Sequence, residues 1–310
     1  MKFLIFSFFF IASMLTGSLA ETSAGNALAD QLAAAYPQFT LVPDVVYKTV
    51  DGKDLQMNLM IPRTLPRKPA PLLVYIHGGG WGHGDRYAIL RAPCLPVIKQ
   101  CGDAGVICAA IEYRLVGRNS TVYDSVVDCK DALRYLAKNA ETYSIDPKRI
   151  AIFGNSAGGH LSLLAALGKP EDFPGDPALA SYDPDVRCEV AYYPATDFTV
   201  PEMVGKYLRP PRDRTMLGGS FAEKKGLARL LSPVWQIRAD SPAVYLFHGD
   251  RDPTLSVENS RQLFKQGKVV GADIQYMEIK NGVHGFGTDC SPTIDEIGSS
   301  AARFILDHLK

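Results

Sequence analysis

The hydrophobic positions of the chain form short, continuous apolar runs that alternate with segments of helical periodicity. The apolar runs are typical of strands buried on both faces of a sheet, and they lie at residues 72–77, 106–112, 150–153, 190–193, 243–247 and 273–279. Helices are predicted between or after them, at residues 123–140, 161–167, 257–269 and 294–309. Because strand and helix alternate, the pattern predicts an α/β fold with a mostly parallel, doubly wound sheet.

Two segments depart from this alternation. Strands are predicted at residues 45–49 and 55–61, and the Asp51-Gly52 turn between them favours an antiparallel hairpin at the amino-terminal end of the sheet. Residues 194–232 are rich in Pro, Arg and Gly, and they predict an irregular or partly helical excursion over the edge of the sheet. The sequence leaves open whether this excursion covers the site as a lid.

The first residues of the chain have the pattern of a targeting segment. One early Lys, an apolar run and small residues ending at Ala20 predict a signal peptide over residues 1–20, with a membrane anchor as the alternative. The protein is therefore expected to be secreted or periplasmic, with no membrane contact after signal removal. Residues 21–40 are predicted to be a leader that includes a short helix at residues 29–36. Residues 41–310 are predicted to form one domain.

Composition and charge narrow the possible partners. The 310 residues include 33 Lys and Arg against 33 Asp and Glu, so the formal net charge is zero. Nucleic-acid binding requires a basic surface, and no nucleic-acid partner is expected. The expected partner is a small molecule or a carbohydrate. Nothing in the sequence fixes the oligomeric state.

The six cysteines allow two interpretations. In an exported protein they could form disulfides, and they could equally be small buried apolar residues. Cys94 and Cys101 are seven residues apart, which in a regular helix corresponds to about 10 Å, too far for a disulfide. No group of Cys or His residues has the spacing of a metal site, so no metal is predicted.

The segment Gly154-Asn155-Ser156-Ala157-Gly158 joins a predicted strand to a predicted helix. This is the context that a Gly-x-Ser-x-Gly nucleophile elbow requires, because the serine lies in a strained turn with no room for side chains on either flank. The helix that follows would direct its N–H groups and its positive end at the site. The alternative is a glycine-rich turn with an incidental serine.

A second glycine-rich segment, residues 77–84, follows the predicted strand at residues 72–77. Glycines allow backbone N–H groups to approach a ligand closely. The N–H groups of Gly79 and Gly80, together with that of Ala157, are predicted to form an oxyanion hole, with Trp81 as a possible further donor. The side chains expected to border the substrate pocket are those of Trp81, His83 and Asn155.

Two further strand ends supply an acid and a base. Asp250 and Asp252 both follow the strand at residues 243–247, and either carboxylate could orient a histidine. His284 lies between small residues after the last strand and is the predicted base. The histidines that compete for this role are His77, His83, His160, His248 and His308. The order of serine, acid and histidine is that of α/β-hydrolases.

Taken together, these segments resemble the α/β-hydrolases of the hormone-sensitive-lipase-like group, and within it the branch that contains bifunctional feruloyl and acetylxylan esterases. The segments that carry the resemblance are residues 77–81, 129–136, 146–150, 154–160 and 248–252. The resemblance implies the α/β-hydrolase fold, no cofactor, and a triad in which Ser156 is the nucleophile, His284 the base and Asp252 the acid. Asn155 departs from the family, which more often has Gly, Asp or Glu there.

The resemblance also implies an activity. It implies a serine esterase that cleaves carboxylic esters through an acyl-enzyme, and the signal peptide favours acetyl or feruloyl esters on carbohydrate. A general short-chain carboxylesterase is the first alternative, and a peptidase or amidase a weaker one. A non-catalytic binding protein on a hydrolase scaffold is a remote alternative, because such a protein would be marked by a missing triad residue or a blocked elbow, and the sequence has neither.

Overall fold

The computed structural model describes residues 23–182 and 184–310. Eight strands form one sheet in the order β1-β2-β4-β3-β5-β6-β7-β8. The strands are β1 (Phe39–Val50), β2 (Lys53–Pro62), β3 (Ala70–Ile76), β4 (Ile107–Ile111), β5 (Ile145–Asn155), β6 (Val186–Tyr192), β7 (Ala243–Gly249) and β8 (Ile274–Ile279). Strands β3 to β8 pair in parallel, whereas β2 is antiparallel to both β1 and β4. The predicted α/β architecture and its amino-terminal hairpin are confirmed.

Helices cover both faces of the sheet. They are α1 (Ser23–Ala35), α2 (Leu95–Asp103), α3 (Val122–Lys138), α4 (Ala140–Tyr143), α5 (Ala157–Leu167), α6 (Pro201–Val204), α7 (Arg212–Leu217), α8 (Lys225–Leu230), α9 (Pro233–Gln236), α10 (Glu258–Val270) and α11 (Ile294–His308). Helices α1, α2 and α11 pack on one face, and α3, α5 and α10 pack on the other. This two-sided cover explains why the central strands have continuous apolar runs.

Strand β3 illustrates how the core is divided. Leu72, Val74 and Ile76 belong to the core on the α3–α5 face, and Leu73 and Tyr75 belong to the core on the α2–α11 face. All five side chains are fully buried. Because successive side chains point to opposite faces of a strand, one short apolar run anchors both layers of helices.

The leader is more structured than the sequence indicated. The predicted helix at residues 29–36 begins at Ser23 and ends at Ala35, and β1 begins at Phe39, inside the segment expected to precede the domain. Leu32 and Tyr36 are buried in the core, and the Tyr36 hydroxyl donates to the carbonyl of Ile89 at 2.7 Å. Burial of these apolar side chains attaches the segment to the domain. The predicted signal peptide lies outside the described residues.

The excursion between β6 and β7 is partly helical, as predicted. It contains the short helices α6, α7 and α8, and α9 follows directly. Buried polar contacts connect its two ends to each other and to α10. The Ser232 hydroxyl accepts the N–H of Phe198 at 2.7 Å, and Asn259 on α10 accepts the N–H of Thr196 at 2.8 Å. These contacts hold the excursion over the carboxyl ends of the parallel strands, beside the site described below.

All six cysteines are unpaired and buried, which corresponds to the second interpretation of their role. Their side chains fill the core as small apolar groups. Within residues 23–182 and 184–310, no helix combines the length and apolar character needed to cross a bilayer.

Candidate active site

The serine lies at a sharp turn between β5 and α5. Ser156 has φ 56° and ψ −122°, a conformation that non-glycine residues rarely adopt. The flanking glycines are required sterically. A Cβ atom at Gly154 would lie 2.3 Å from the Gly158 carbonyl oxygen, and one at Gly158 would lie 2.1 Å from that of Ile76. The turn therefore has the tight packing and backbone strain that the sequence predicted for an elbow.

Two hydrogen bonds connect the serine to a histidine and an aspartate. Nε2 of His284 lies 2.9 Å from Oγ of Ser156, and Nδ1 of His284 lies 2.7 Å from Oδ2 of Asp252. Each residue follows a different strand, so the parallel sheet brings together groups that are 32 and 128 residues apart. This is the geometry in which a histidine can accept the serine proton while the carboxylate orients the ring.

The environment of Asp252 keeps its carboxylate ionised. Burial raises its pKa, but hydrogen bonds from His248 and His284 outweigh burial and hold the pKa below its ordinary value. The other oxygen, Oδ1, accepts the backbone N–H groups of Thr254 at 2.7 Å and Leu255 at 3.0 Å. The carboxylate is thus fixed in orientation as well as in charge.

Asp250, the alternative acid, lies outside this arrangement. Its side chain is exposed, and its backbone N–H donates to the Ile279 carbonyl at 3.0 Å. The carboxylate that accepts backbone N–H groups in this loop is that of Asp252.

The glycine-rich segment after β3 reaches the same place. Gly79 and Gly80 line the cavity that contains Ser156, and both have positive φ, 130° and 59°. A Cβ atom at Gly79 would lie 1.9 Å from the carbonyl oxygen of His83, so this conformation excludes other residues. Ala157 is the first residue of α5, where the helix leaves N–H groups without an internal acceptor. The role of these three N–H groups as an oxyanion hole stays a prediction.

The cavity beside Ser156 has a volume of about 490 Å³. It is lined by Gly79, Gly80, His83, Arg91, Pro93, Cys94, Asn155, Ser156, Tyr193, Tyr207, Thr254, His284 and Gly285. Of the predicted pocket side chains, His83 and Asn155 border it. The Asn155 amide is held at its base, where Oδ1 accepts from the Tyr75 hydroxyl at 2.8 Å.

The third predicted pocket residue, Trp81, does not line the cavity. Its side chain is fully buried, and its ring packs edge-on against Phe198 and Tyr207 with centroids 5.6 and 5.2 Å away. Its Nε1–H donates to Nδ1 of His160 at 3.1 Å. The expectation was wrong because a large indole next to the core gains more from burial than from a place on the cavity wall.

Sequence reasoning missed several residues of the cavity wall, among them Tyr193, Tyr207 and Arg91. Tyr193 follows β6, has φ 38°, and places its ring 4.6 Å from that of His284. Its position at a strand end was a usable signal. Tyr207 comes from the excursion, and Arg91 from the loop before α2. Nothing in the sequence near those two residues indicated that they line the cavity of the serine.

The competing histidines have other roles. His77, His160 and His248 are fully buried. Burial lowers the pKa of His77 and of His160 to about 4, so both are neutral at pH 7. His248 contacts the Ser260 hydroxyl at 2.8 Å and the Leu255 carbonyl at 3.0 Å, which holds the acid loop in place. Among the described residues, no group of three or more His, Cys, Asp or Glu could hold a metal ion.

Comparison with known proteins finds a family model, sequence relatives and solved structures that match this chain. The family model BD-FAE matches residues 57–266, more than half of the chain. The chain is 33% identical over 219 residues to the probable carboxylic ester hydrolase LipM of Mycobacterium tuberculosis, which covers 70% of this chain and 49% of that protein. The chain spans about half the length of the curated relatives it matches.

Two solved structures share the fold over nearly their whole length. A truncated carbohydrate esterase from gut microbiota is 21% identical and superposes with a TM-score of 0.72, covering 88% of this chain and 97% of that one. A butyrate-bound esterase from Thermogutta terrifontis is 25% identical with a TM-score of 0.68, covering 87% of this chain and 94% of that one. The expected α/β-hydrolase fold is thereby confirmed.

Proposed function

We propose, from the premise that the chain belongs to the BD-FAE family of α/β-hydrolases, that it is a serine esterase that hydrolyses carboxylic esters through an acyl-enzyme. The observation that carries the proposal is the continuous chain of hydrogen bonds from Ser156 through His284 to Asp252. All three residues follow strands, at the edge of the sheet where α/β-hydrolases carry a triad of this kind.

The reaction proceeds in two proton-coupled steps. Nε2 of His284 takes the proton of Ser156 as Oγ bonds to the ester carbonyl carbon, and the carbonyl electron pair moves onto its oxygen. When this pair returns, the bond to the alcohol oxygen breaks, and that oxygen takes the proton from His284. Water then repeats the attack on the acyl-enzyme, His284 returns the proton to Ser156, and the carboxylic acid leaves.

Asp252 contributes by orienting and stabilising the histidine. Its ionised carboxylate accepts the Nδ1–H of His284, which leaves Nε2 free to accept the serine proton and stabilises the imidazolium that forms. The N–H groups of Gly79, Gly80 and Ala157 would receive the developing negative oxygen, each hydrogen bond being worth more in the charged transition state than in the ground state. No cofactor is needed for these steps.

For the substrate we propose acetyl or feruloyl esters on carbohydrate. The sequence resemblance to feruloyl and acetylxylan esterases supports this, as does the structural likeness to a carbohydrate esterase. A general short-chain carboxylesterase is the second candidate, favoured by the likeness to an esterase that binds butyrate.

Hydrolysis of four esters would test the proposal, with the Ser156→Ala variant beside the wild type. The esters are p-nitrophenyl acetate, p-nitrophenyl octanoate, methyl ferulate and acetylated xylan. Turnover of the acetate and the polysaccharide, lost in the variant, would support a carbohydrate esterase. Preference for octanoate without action on xylan would favour the general esterase. Turnover that survives the substitution would contradict the mechanism.

A fluorophosphonate probe separates an enzyme from a binding protein on the same scaffold. The probe phosphonylates an activated serine, so we expect labelling of the wild type and none of Ser156→Ala. An unlabelled wild type would favour the non-catalytic alternative.

We also propose that the protein is exported after removal of residues 1–20. The proposal rests on the apolar run and the small residues that end at Ala20. Amino-terminal sequencing of the exported protein should begin at Glu21. A protein that keeps its first residues and partitions with membranes would instead support the anchor.

A further inference from the structure

The cavity beside the nucleophile has an unusual charge. Arg91 is the only Lys or Arg among its lining residues, and no Asp or Glu is among them. The acid of the triad, Asp252, is behind His284, and its side chain is fully buried. A substrate in this cavity would therefore meet a cationic group near the serine and no opposing carboxylate on the cavity wall.

Arg91 also lacks a partner of its own. Among the described residues, its guanidinium forms no ion pair or hydrogen bond, and the side chain is exposed. Several other arginines of the fold are paired with acids, as Arg86 is with Asp44 and Arg114 with Asp128. Five N–H donors in a planar fork are thus left available at the cavity.

Two further cations lie close to the ring of Tyr207, a lining residue that comes from the excursion. Nζ of Lys206 lies 5.4 Å from the centroid of the Tyr207 ring, and the guanidinium carbon of Arg212 lies 4.9 Å from it. Neither has an acidic partner within the described part of the chain. Tyr207 itself lines the cavity, so these two cations lie next to a residue of the cavity wall.

The buried titratable groups of the wall do not offset this charge at neutral pH. Burial raises the pKa of the Cys94 thiol to about 12, and burial also raises the pKa of the Tyr193 hydroxyl well above its ordinary value. Both groups stay neutral. Among the lining residues, the positive charge of Arg91 is therefore not balanced by a negative charge.

We propose that the natural substrate is an ester that carries a carboxylate, and that Arg91 binds this carboxylate. The inference rests on the proposed esterase function and narrows its substrate class to acidic esters, such as an acylated uronate. A guanidinium fork matches a carboxylate in shape, and an unpaired one gains two charge-assisted hydrogen bonds on binding. Arg91 is thus a specificity-determining residue of the cavity.

The test compares charged esters with neutral esters of the same shape. On the alcohol side, 4-acetoxybenzoate is compared with its methyl ester, and on the acyl side, p-nitrophenyl hemiglutarate is compared with p-nitrophenyl valerate. For the wild type we expect kcat/KM to favour the charged member of at least one pair by about tenfold, a typical worth for a charge-assisted hydrogen bond. The pair that responds shows which side of the ester carries the carboxylate.

The Arg91 variants isolate the cause of the preference. Arg91→Ala should lose the preference, so that the ratio of kcat/KM for the charged ester to that for its neutral counterpart falls about tenfold, and Arg91→Lys should keep part of the preference because a point charge remains. Arg67→Ala is the matched control. Arg67 is an exposed arginine just before β3, at the opposite end of the strand from the site, so its removal changes the net charge equally but should leave the preference intact.

The outcomes separate this inference from the function on which it rests. If the wild type hydrolyses neutral and charged esters equally well and Arg91→Ala does not change their relative rates, the acidic-substrate inference is overturned and the esterase function is not affected. Failure to hydrolyse any of the four esters would overturn both. A preference that Arg67→Ala removes as fully as Arg91→Ala would also overturn the inference, because it would reflect net charge alone.

Discussion

The substitution Asp252→Asn tests the proposed mechanism most sharply, because the structure determines how the new amide would be oriented. Oδ1 of Asp252 accepts two backbone N–H groups, and Oδ2 faces Nδ1 of His284 at 2.7 Å. An asparagine must keep its oxygen at the Oδ1 position, since an NH₂ group cannot accept from two N–H donors. Its NH₂ group would then face Nδ1 of His284.

This orientation would reverse the histidine tautomer. Facing a donor, Nδ1 of His284 becomes the acceptor, and its proton moves to Nε2, which can then no longer take the proton of Ser156. The same change in serine proteases lowers kcat about 10⁴-fold, equivalent to about 5.4 kcal/mol in the activation barrier. We expect a loss of that size for p-nitrophenyl acetate, with a circular dichroism spectrum like that of the wild type.

Asp250→Asn provides the matched control. It makes the same chemical change two residues earlier, on an exposed side chain, and should leave kcat unaltered. The reasoning would be refuted if Asp252→Asn kept more than about a tenth of the wild-type kcat, far above the residual activity expected of a reversed tautomer. It would equally be refuted if Asp250→Asn caused the larger loss.

Three further predictions concern stability, each measured by urea unfolding followed by circular dichroism. Burial raises the pKa of Glu189, so the unfolded chain loses this proton at lower pH than the folded protein, and the contribution of Glu189 to the stability of the wild type falls as pH rises above about 4.3. Glu189→Gln should remove this pH dependence, so its free energy of unfolding should rise relative to that of the wild type by up to about 1.4 kcal/mol per pH unit. A constant difference in the free energy of unfolding between pH 5 and 8 would contradict this prediction. Gly158→Ala should prevent folding or cost several kcal/mol, because its Cβ would lie 2.1 Å from a backbone oxygen. A Cβ atom at Gly226 in α8 would meet no atom within 4 Å, so the control Gly226→Ala should stabilise the protein by up to about 1 kcal/mol. Equal effects of Gly158→Ala and Gly226→Ala would show that steric exclusion is not the cause of the loss at Gly158. Trp81→Phe should lower the free energy of unfolding by about 1–3 kcal/mol through the lost hydrogen bond to His160. It should leave the preference among ester chain lengths unchanged, whereas substitution of a residue that lines the pocket would change that preference.

The acidic-substrate inference connects the excursion to specificity. Arg212 donates to the Gly80 carbonyl at 3.3 Å, and Tyr207 would lie 2.6 Å from a Cβ atom at Gly80. The excursion therefore contacts the predicted oxyanion loop as well as adding positive charge near the cavity. Variation in this segment would be expected to change substrate preference while the elbow and triad stay the same.

Local chemistry is what made the elbow predictable from the sequence. Gly154, Ser156 and Gly158 are close in the chain, and their pattern predicts the turn, although the atom that excludes a side chain at Gly158 is the Ile76 carbonyl oxygen on the neighbouring strand. The hairpin around Asp51-Gly52 was predictable for the same reason, because the turn residues themselves set its geometry. Neither prediction required knowledge of distant contacts.

Trp81 shows where such reasoning ends. It directly follows the glycines of the predicted oxyanion loop, so its position in the chain indicated a place in the pocket. Its φ of 61° and the space between His160 and Phe198 direct the indole into the core instead. The direction of a side chain at a loop depends on the volume that distant elements leave open, and the sequence of the loop does not contain that information.

The sequence by itself determined the order of strands and helices, the hairpin and the nucleophile turn, because each depends on periodicity or on residues within one turn. It also indicated the histidine and limited the acid to Asp250 or Asp252, since parallel strands end at one edge of a sheet, and the family resemblance favoured Asp252. Only the tertiary structure decided the cavity, where Tyr193, Tyr207 and Arg91 come from three separate parts of the chain. The charge of that cavity depends on which ion pairs form elsewhere, and ion pairing is a property of the packed molecule.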